Sequence, residues 1–183
     1  MKYLITGGCG FLGSNLSHHI LQKNNDELFI IDNLSRKGSN KNLNWLNKIG
    51  DFKFFKVNVS NKKIIETIVK TIKPDVIFHL AGQVAMTTSI EDPYNDFKTN
   101  THGSINILEA IRMHSPNTIA IYSSTNKVYG DLNQFQYHST NTRYFPKEYK
   151  SGFDENINLS FSSPYGCSKG SADQYFLDYS KIY

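Results

Sequence analysis

An apolar run, Tyr3-Leu4-Ile5, leads straight into Thr6-Gly7-Gly8-Cys9-Gly10-Phe11-Leu12-Gly13, and a helical pattern begins within that same stretch. A strand, a glycine turn spaced G-x-x-G-x-x-G and a helix in immediate succession leave few folds open. Gly7 can take a backbone angle closed to other residues, Gly10 lets main chain approach a diphosphate, and Gly13 lets the helix pack closely on the strand. The start of the helix directs unpaired N–H groups and a partial positive charge at the turn, so a phosphate is stabilised there without a lysine. A second apolar strand, Leu28-Phe29-Ile30-Ile31, ends in Asp32, about 20 residues beyond the turn. A carboxylate at that place can accept hydrogen bonds from an adenosine ribose. The junction predicts a dinucleotide site; a plain glycine-rich turn is the competing reading.

With 183 residues and 39% hydrophobic content, the chain suits one α/β core, residues 1–183, and is too short for two full domains. Its net charge of +4 comes from scattered Lys and Arg with no dense basic run, so it says little about nucleic acid, though it suits an anionic nucleotide; no nucleic-acid or membrane partner is expected. The cysteines, Cys9 and Cys167, lack metal spacing and read as small buried residues in a reducing cytoplasm. His18, His19, His79, His102, His114 and His138 likewise show no metal spacing, so no metal is expected. The amino terminus enters a strand with no signal-peptide pattern, and no stretch could span a bilayer, which predicts a soluble cytoplasmic protein.

Along the chain, Phe11, Leu12, Leu16, Ile20 and Leu21 form the apolar face of a first helix ending near Asn24-Asn25. Residues 33–42 read as a polar loop, Leu43, Trp45 and Leu46 as a short helix with Trp45 in the core, and Phe52 to Val57 as a third strand. Ser60 is expected to cap a helix whose apolar face is Ile64, Ile65, Ile68, Val69 and Ile72. A fourth strand, Val76-Ile77-Phe78-His79-Leu80, ends at Ala81-Gly82, and Asp92-Pro93 starts one long helix through Ile111. After a fifth strand, Ile119 to Tyr122, residues 131–161 form a loop too long for a mere connector, and Pro164 opens a last helix. This alternation predicts a doubly wound parallel sheet of order 3-2-1-4-5, with ligands at the carboxyl ends of its strands.

Tyr165 and Lys169 stand four apart in the last helix and share a face. A free tyrosine titrates near ~10 and is a poor base at neutral pH, but a neighbouring ammonium favours the phenolate. Thr125, just past the fifth strand, offers a hydroxyl to hold a substrate alcohol. The three make a proton relay of the kind that serves a nicotinamide. Tyr-x-x-x-Lys alone is common on amphipathic helices; its place after a dinucleotide fingerprint gives it weight.

These motifs, with Asp32-Asn33-Leu34-Ser35, His79-Leu80-Ala81-Gly82, Asn100 with Gly103 and Asn106-Ile107-Leu108-Glu109-Ala110, and Ser123-Ser124-Thr125 with Val128-Tyr129-Gly130, resemble the extended short-chain dehydrogenase/reductases that act on nucleotide sugars. The resemblance spans all 183 residues and implies a Rossmann-like fold. It implies NAD held by Gly7, Gly10, Phe11, Leu12, Gly13, Asp32, Asn33, Ser35, Arg36, Asn58, Val59, Leu80, Ala81, Gly82, Asn100, Ser123, Tyr165 and Lys169. Thr125, Tyr165 and Lys169 would be catalytic, and Gln83, Met86, Thr87, Thr125 and Asn126 would meet the substrate. Asn58 stands where many members place Asp, and Arg36 and Lys37 leave NADP open beside NAD.

Members that are 4,6-dehydratases carry Asp-Glu after the Thr, whereas this chain has Asn126-Lys127, which disfavours dehydration. The strings 83–89, 123–131 and 163–169, with the long insert before the last, resemble the CDP-sugar 2-epimerases within the family, acting on CDP-paratose and CDP-tyvelose. The implied reaction is transient oxidation of the sugar by NAD and return of hydride to the opposite face. A further 4-epimerase or oxidoreductase of the family, and a non-catalytic NAD-binding module, remain open. Family members continue for over a hundred residues, so the resemblance implies that a sixth strand and a carboxy-terminal sugar domain lie outside this chain and that it alone does not turn over. It also implies a homodimer through helices 93–112 and 164–183.

Overall fold

The structure, a computed structural model, describes residues 1–23 and 26–183. The expected end of the first helix at Asn24-Asn25 falls outside the described residues. Five parallel strands form one sheet: β1 (Lys2–Thr6), β2 (Glu27–Asp32), β3 (Lys53–Lys56), β4 (Val76–His79) and β5 (Ile119–Tyr122), in the order β3-β2-β1-β4-β5. The order is the one the alternation predicts. In register, Ile5 lies beside Ile30 on one side and Phe78 on the other. The strands read as unbroken apolar runs because helices cover both faces. Leu4, Phe29, Ile31 and Ile77 point to one face, under α3 (Lys62–Ile72) and α6 (Gly103–His114). Ile5, Leu28 and Ile30 point to the other, under α1 (Phe11–Leu21) and α2 (Ser39–Leu46). Each fully buried aliphatic side chain in these two layers contributes ~1.5–3 kcal/mol.

Several helix details differ from the sequence pattern. On α1 the buried residues are Gly13, Ser14, Ser17 and Ile20, while Phe11 and Leu12 are 81% and 59% exposed. Close packing of Gly13 on the turn brings the small side of the helix to the sheet and turns the large residues outward. Trp45 is not core: it is 37% exposed and stacks on His18 with ring centroids 5.0 Å apart. The α2 helix begins at Ser39, inside the stretch expected to be loop. Asn61, not Ser60, caps α3 by accepting from the Ile64 N–H at 3.3 Å; Ser60 lies one residue earlier, in the turn where its N–H donates to Asn58 Oδ1. Ile64 is exposed. Cys9 is buried as expected, whereas Cys167 is exposed.

The long helix after Asp92 is three pieces. Asp92 caps α5 (Pro93–Phe97) through the Asn95 N–H, a π-helical turn covers Lys98–His102, and α6 continues. The wider turn has no signal in side-chain periodicity. A short helix, α4 (Met86–Glu91), precedes it. The segment 131–161 contains an antiparallel hairpin, β6 (Tyr137–Ser139) with β7 (Tyr144–Pro146), and a cluster of Phe135, Tyr149 and Phe153. The last helix, α7 (Pro164–Ile182), starts where Pro164 predicts, capped by Ser163.

Candidate functional site

The carboxyl ends of β1, β2, β3 and β4 open into one cleft of about 900 Å³. Its floor is the turn after β1. Gly7 has φ +70° and lies so close to the next crossover that a Cβ would stand 2.7 Å from the Ala81 nitrogen. A Cβ on Gly13 would overlap the Gly7 carbonyl and reach Gly8 Cα at 2.6 Å, whereas one on Gly10 would meet only the Gly7 oxygen, at 3.2 Å, and otherwise open space. The turn is therefore rigid where it packs and bare where it borders the cleft. No side chain caps α1 at Gly10 and no acid occupies its first turn, so the helix end offers free N–H groups to an anion.

The end of β2 forms the next wall. Asp32 Oδ2 accepts from the Cys9 N–H at 3.0 Å and Oδ1 from the Leu34 N–H at 2.8 Å. Both oxygens are oriented by main chain, and each retains a lone pair for a ribose hydroxyl. Asn33 Oδ1 accepts from the Ser35 N–H, and Arg36 and Lys37 border the cleft beside it. Burial and the neighbouring Asp32 push the Cys9 thiol up to about 12, so it stays protonated. Asn58 Oδ1 already accepts from Ser60 but keeps a second lone pair toward the cleft it lines.

Behind this wall runs a directed chain of hydrogen bonds. The Ala81 N–H donates to Thr6 Oγ1, and Thr6 Oγ1 stands 2.6 Å from His79 Nδ1. His79 Nε2 lies 3.0 Å from Ser104 Oγ, whose own hydrogen goes to the Asn100 carbonyl. Because Ser104 spends its proton on that carbonyl, Nε2 must be the donor, and Nδ1 accepts from Thr6. Burial, aided by Lys169, lowers the His79 imidazole to about 3, so it is neutral.

At the end of β5, Lys169 is 6% exposed; its ammonium donates to the Ser123 carbonyl and stands 4.0 Å from the Tyr122 ring centroid. That hydrogen bond goes to the loop after β5 and not to the Tyr165 phenol. Burial pulls Lys169 down to about 8 against the charges of Asp173 and Asp96. Thr125 Oγ1 accepts from the Lys127 N–H at 3.3 Å and opens a 3₁₀ turn, Asn126–Tyr129. A Cβ on Gly166 would stand 2.7 Å from the Lys127 carbonyl, so the first turn of α7 rests on that turn. The loop bearing Thr125 and the helix bearing half-buried Tyr165 are thus held together.

Among the expected cofactor residues, Gly7, Gly10, Phe11, Leu12, Gly13, Asp32, Asn33, Ser35, Arg36, Asn58, Val59, Leu80, Ala81 and Gly82 line the cleft, as does Gln83. Asn100 does not. It is 1% exposed, accepts from the Gln83 N–H at 2.8 Å, and directs its amide hydrogens at Gln83 O, Asp96 and Ser168. The π turn aims it inward, as a bolt between cleft wall and α7. Ser123, Tyr165 and Lys169 lie beyond the cleft, and exposed Met86, Thr87 and Asn126 lie outside it too. Sequence reasoning missed Asn42, whose amide donates to the Cys9 carbonyl at 2.9 Å and fastens α2 to the glycine turn. It sits in a polar run with nothing local to mark it. Among the described residues there is no cluster suited to a metal ion and no helix long and apolar enough to cross a membrane.

Residues 4–183 match the family model described as GDP-mannose 4,6 dehydratase. Over 183 residues the chain is 54% identical to a CDP-paratose 2-epimerase of Salmonella typhi, an alignment covering 100% of this chain and 54% of that protein. It is 31% identical to a dTDP-glucose 4,6-dehydratase of Escherichia coli, covering 100% of this chain and 51% of that protein. The chain thus spans about half the length of the curated relatives it matches. A UDP-Glc/GlcNAc 4-epimerase from Campylobacter jejuni superposes with a TM-score of 0.82 at 28% identity, over 98% of this chain and 49% of that one. A Thermus thermophilus UDP-glucose 4-epimerase solved as a complex with NAD gives 0.77 at 27%, over 100% and 52%. With the glycine turn, Asp32 and the Thr125, Tyr165 and Lys169 set in one αβ frame, the chain belongs to the GDP-mannose 4,6-dehydratase family, the nucleotide-sugar epimerases and dehydratases of the extended short-chain dehydrogenase/reductases.

Proposed function

We propose that the cleft binds NAD and that the chain is the cofactor-binding and catalytic part of a 2-epimerase acting on a CDP-3,6-dideoxyhexose, interconverting CDP-paratose and CDP-tyvelose. The observation that carries the reading is Asp32, its two oxygens fixed by the Cys9 and Leu34 N–H groups at the rim of a glycine-floored cleft. A fixed carboxylate favours ribose hydroxyls and repels a 2′-phosphate, which selects NAD over NADP. The substrate assignment is supported by the 54% identity to a CDP-paratose 2-epimerase.

When bound, NAD supplies a ring that takes hydride from a carbinol carbon and returns it. Thr125 holds the sugar hydroxyl and Tyr165 Oη removes its proton, then restores it, so the net change is inversion with no cofactor consumed. Lys169, anchored on the Ser123 carbonyl one helical turn from Tyr165, supplies positive charge to the site. Asn126 and Lys127 offer no carboxyl group to protonate a departing hydroxyl, which disfavours dehydration. Self-association through helices 93–112 and 164–183 and a cytoplasmic location belong to the same reading; exposed Tyr94, Phe97 and Tyr175 support the self-association.

A thermal-melt titration with NAD and, separately, NADP tests the cofactor. A ligand that binds only the native state stabilises by RT ln(1 + [L]/Kd), so a rise with NAD alone is expected. A cooperative melt that neither nucleotide moves overturns the reading. Screening CDP-, UDP- and dTDP-sugars separates 2-epimerisation from the other activities of the family, and a Tyr165→Phe variant with undiminished function would point to a non-catalytic module.

A further inference from the structure

Two buried charges stand on either side of Ser168, and among the described residues neither has an ion partner. Asp96, in α5, is 0% exposed; its Oδ2 accepts from the Ser168 hydroxyl and its Oδ1 from the Asn100 amide at 3.1 Å. Lys169, the next residue of α7, is 6% exposed and bonded to a neutral carbonyl. The ion pairs among the described residues, Met1 with Asp26, Glu109 with Arg112 and Glu66 with His114, include neither. A lone buried carboxylate is strongly disfavoured, and so is a lone buried ammonium, but in a low-dielectric interior each relieves the other well beyond contact distance. The turn between them is fastened twice, by Ser168 Oγ to Asp96 and by Thr101 Oγ1 to the Ser168 carbonyl at 3.1 Å.

We propose that Asp96 is a positioning residue for the reaction: the buried counter-charge of the Lys169 ammonium, acting through Ser168 on the turn of α7 that carries Lys169. The inference rests on the role given to Lys169 above. The groups facing Lys169 are Asp173 from α7, Tyr122 from β5, whose ring centroid lies 4.0 Å from the ammonium, His79 from β4 and Asp96 from α5. Only Asp96 and Asp173 are carboxylates. Asp173 acts on Lys169 more strongly from the same helix but is half-buried, whereas Asp96 acts from a second element and is fully enclosed. Burial drives both the Lys169 amine and the Asp96 carboxyl toward their neutral forms, and the attraction between the two charges opposes that drive at each of them.

The test is nuclear magnetic resonance titration of the Lys169 Cε and Nζ signals, assigned with Lys169→Arg, in the protein and in its Asp96→Asn and Ser168→Ala variants. In Asp96→Asn the Lys169 midpoint is expected to fall by about one pH unit or more. In Ser168→Ala, which keeps the charge and removes the hydroxyl, it is expected to move much less. Equal midpoints in the protein and Asp96→Asn, or equal shifts in both variants, overturn the proposal. Should Asp96→Asn not fold, the Asp96 Cγ signal of the unaltered protein decides: a carboxyl still protonated at pH 8 carries no counter-charge, and one ionised by pH 7 does. The NAD melt titration is read separately. NAD binding with an unmoved Lys169 midpoint sinks the counter-charge and leaves the cofactor reading intact, while a moved midpoint without NAD binding does the reverse.

Discussion

Thr6 Oγ1 lies 2.6 Å from His79 Nδ1, joining the end of the first strand to the end of the fourth by a bond whose direction is set by the groups beyond it. His79 serves as acceptor on one side and donor on the other, which only the neutral Nε2–H form can do. A proton added at Nδ1 would leave the Thr6 hydroxyl facing a donor.

His79 is therefore expected to stay neutral in the native protein across pH 5 to 8, with ¹⁵N spectra of the ring showing the Nε2–H tautomer throughout. Its native pKa, about 3, lies below the unfolded value of ~6.5. The unfolded chain thus binds more protons between those values. The contribution to stability is complete above about pH 6.5 and is lost as pH falls toward 3, at up to ~1.4 kcal/mol per unit. A His79 ring that titrates near 6.5 in the folded protein contradicts this.

Gly13→Ala and Gly10→Ala are expected to fail differently. At Gly13 the added carbon overlaps the Gly7 carbonyl, backbone that cannot yield, and destabilisation of ~3 kcal/mol or more follows. At Gly10 the carbon meets one oxygen at 3.2 Å, so the melt shifts little while NAD affinity drops by about tenfold or more. Urea denaturation and calorimetric titration on the two variants separate the effects.

Asp32→Asn replaces one of two accepting oxygens by an amide NH2, a donor, so either the Cys9 or the Leu34 N–H loses its partner. A stability loss of ~1–3 kcal/mol is expected, with NAD binding weakened more than NADP binding, since the charge that opposes a 2′-phosphate is gone. Equal loss for the two nucleotides argues against Asp32 as the selector.

Asn100→Ala strips partners from both main-chain groups of Gln83 and from two buried side chains, Asp96 and Ser168. At ~1–3 kcal/mol for each buried group left unsatisfied, this is expected to be among the most damaging single changes in the protein. Hydrogen exchange should show the loss in α5 and the first turns of α7 before the β1 to β3 sheet. An unchanged melt would mean that the bolt between cleft and helix is dispensable.

The sheet was legible in the chain because its determinants are local. Runs such as Leu28 to Ile31 and Val76 to Phe78 are strands buried on two sides wherever they occur, and each ends in the small or acidic residues that form a cleft wall. The glycine turn and Asp32 were legible for the same reason: their roles depend on backbone geometry at a strand end, which spacing encodes. Tyr165 and Lys169 share a helix face by arithmetic alone, and that arithmetic says nothing about what surrounds either.

What the sequence left undetermined depends on neighbours far along the chain. Phe11 and Leu12 follow a helical apolar pattern yet face outward, because the contact of Gly13 with Gly7 sets the rotation of α1. Asn100 carries a motif but turns away from the cleft, because a π turn that no periodicity marks points it at Gln83, Asp96 and Ser168. The hairpin in residues 131–161 has short strands of aromatic and polar residues with no alternation to reveal them. Sequence by itself determined the order of the strands and which residues stand at their ends, since both follow from periodicity and spacing. Only the tertiary structure decided the tautomer of His79, the partners of Asn100 and the burial of Lys169 and Asp96, because hydrogen-bond direction and local dielectric belong to residues brought together from across the chain.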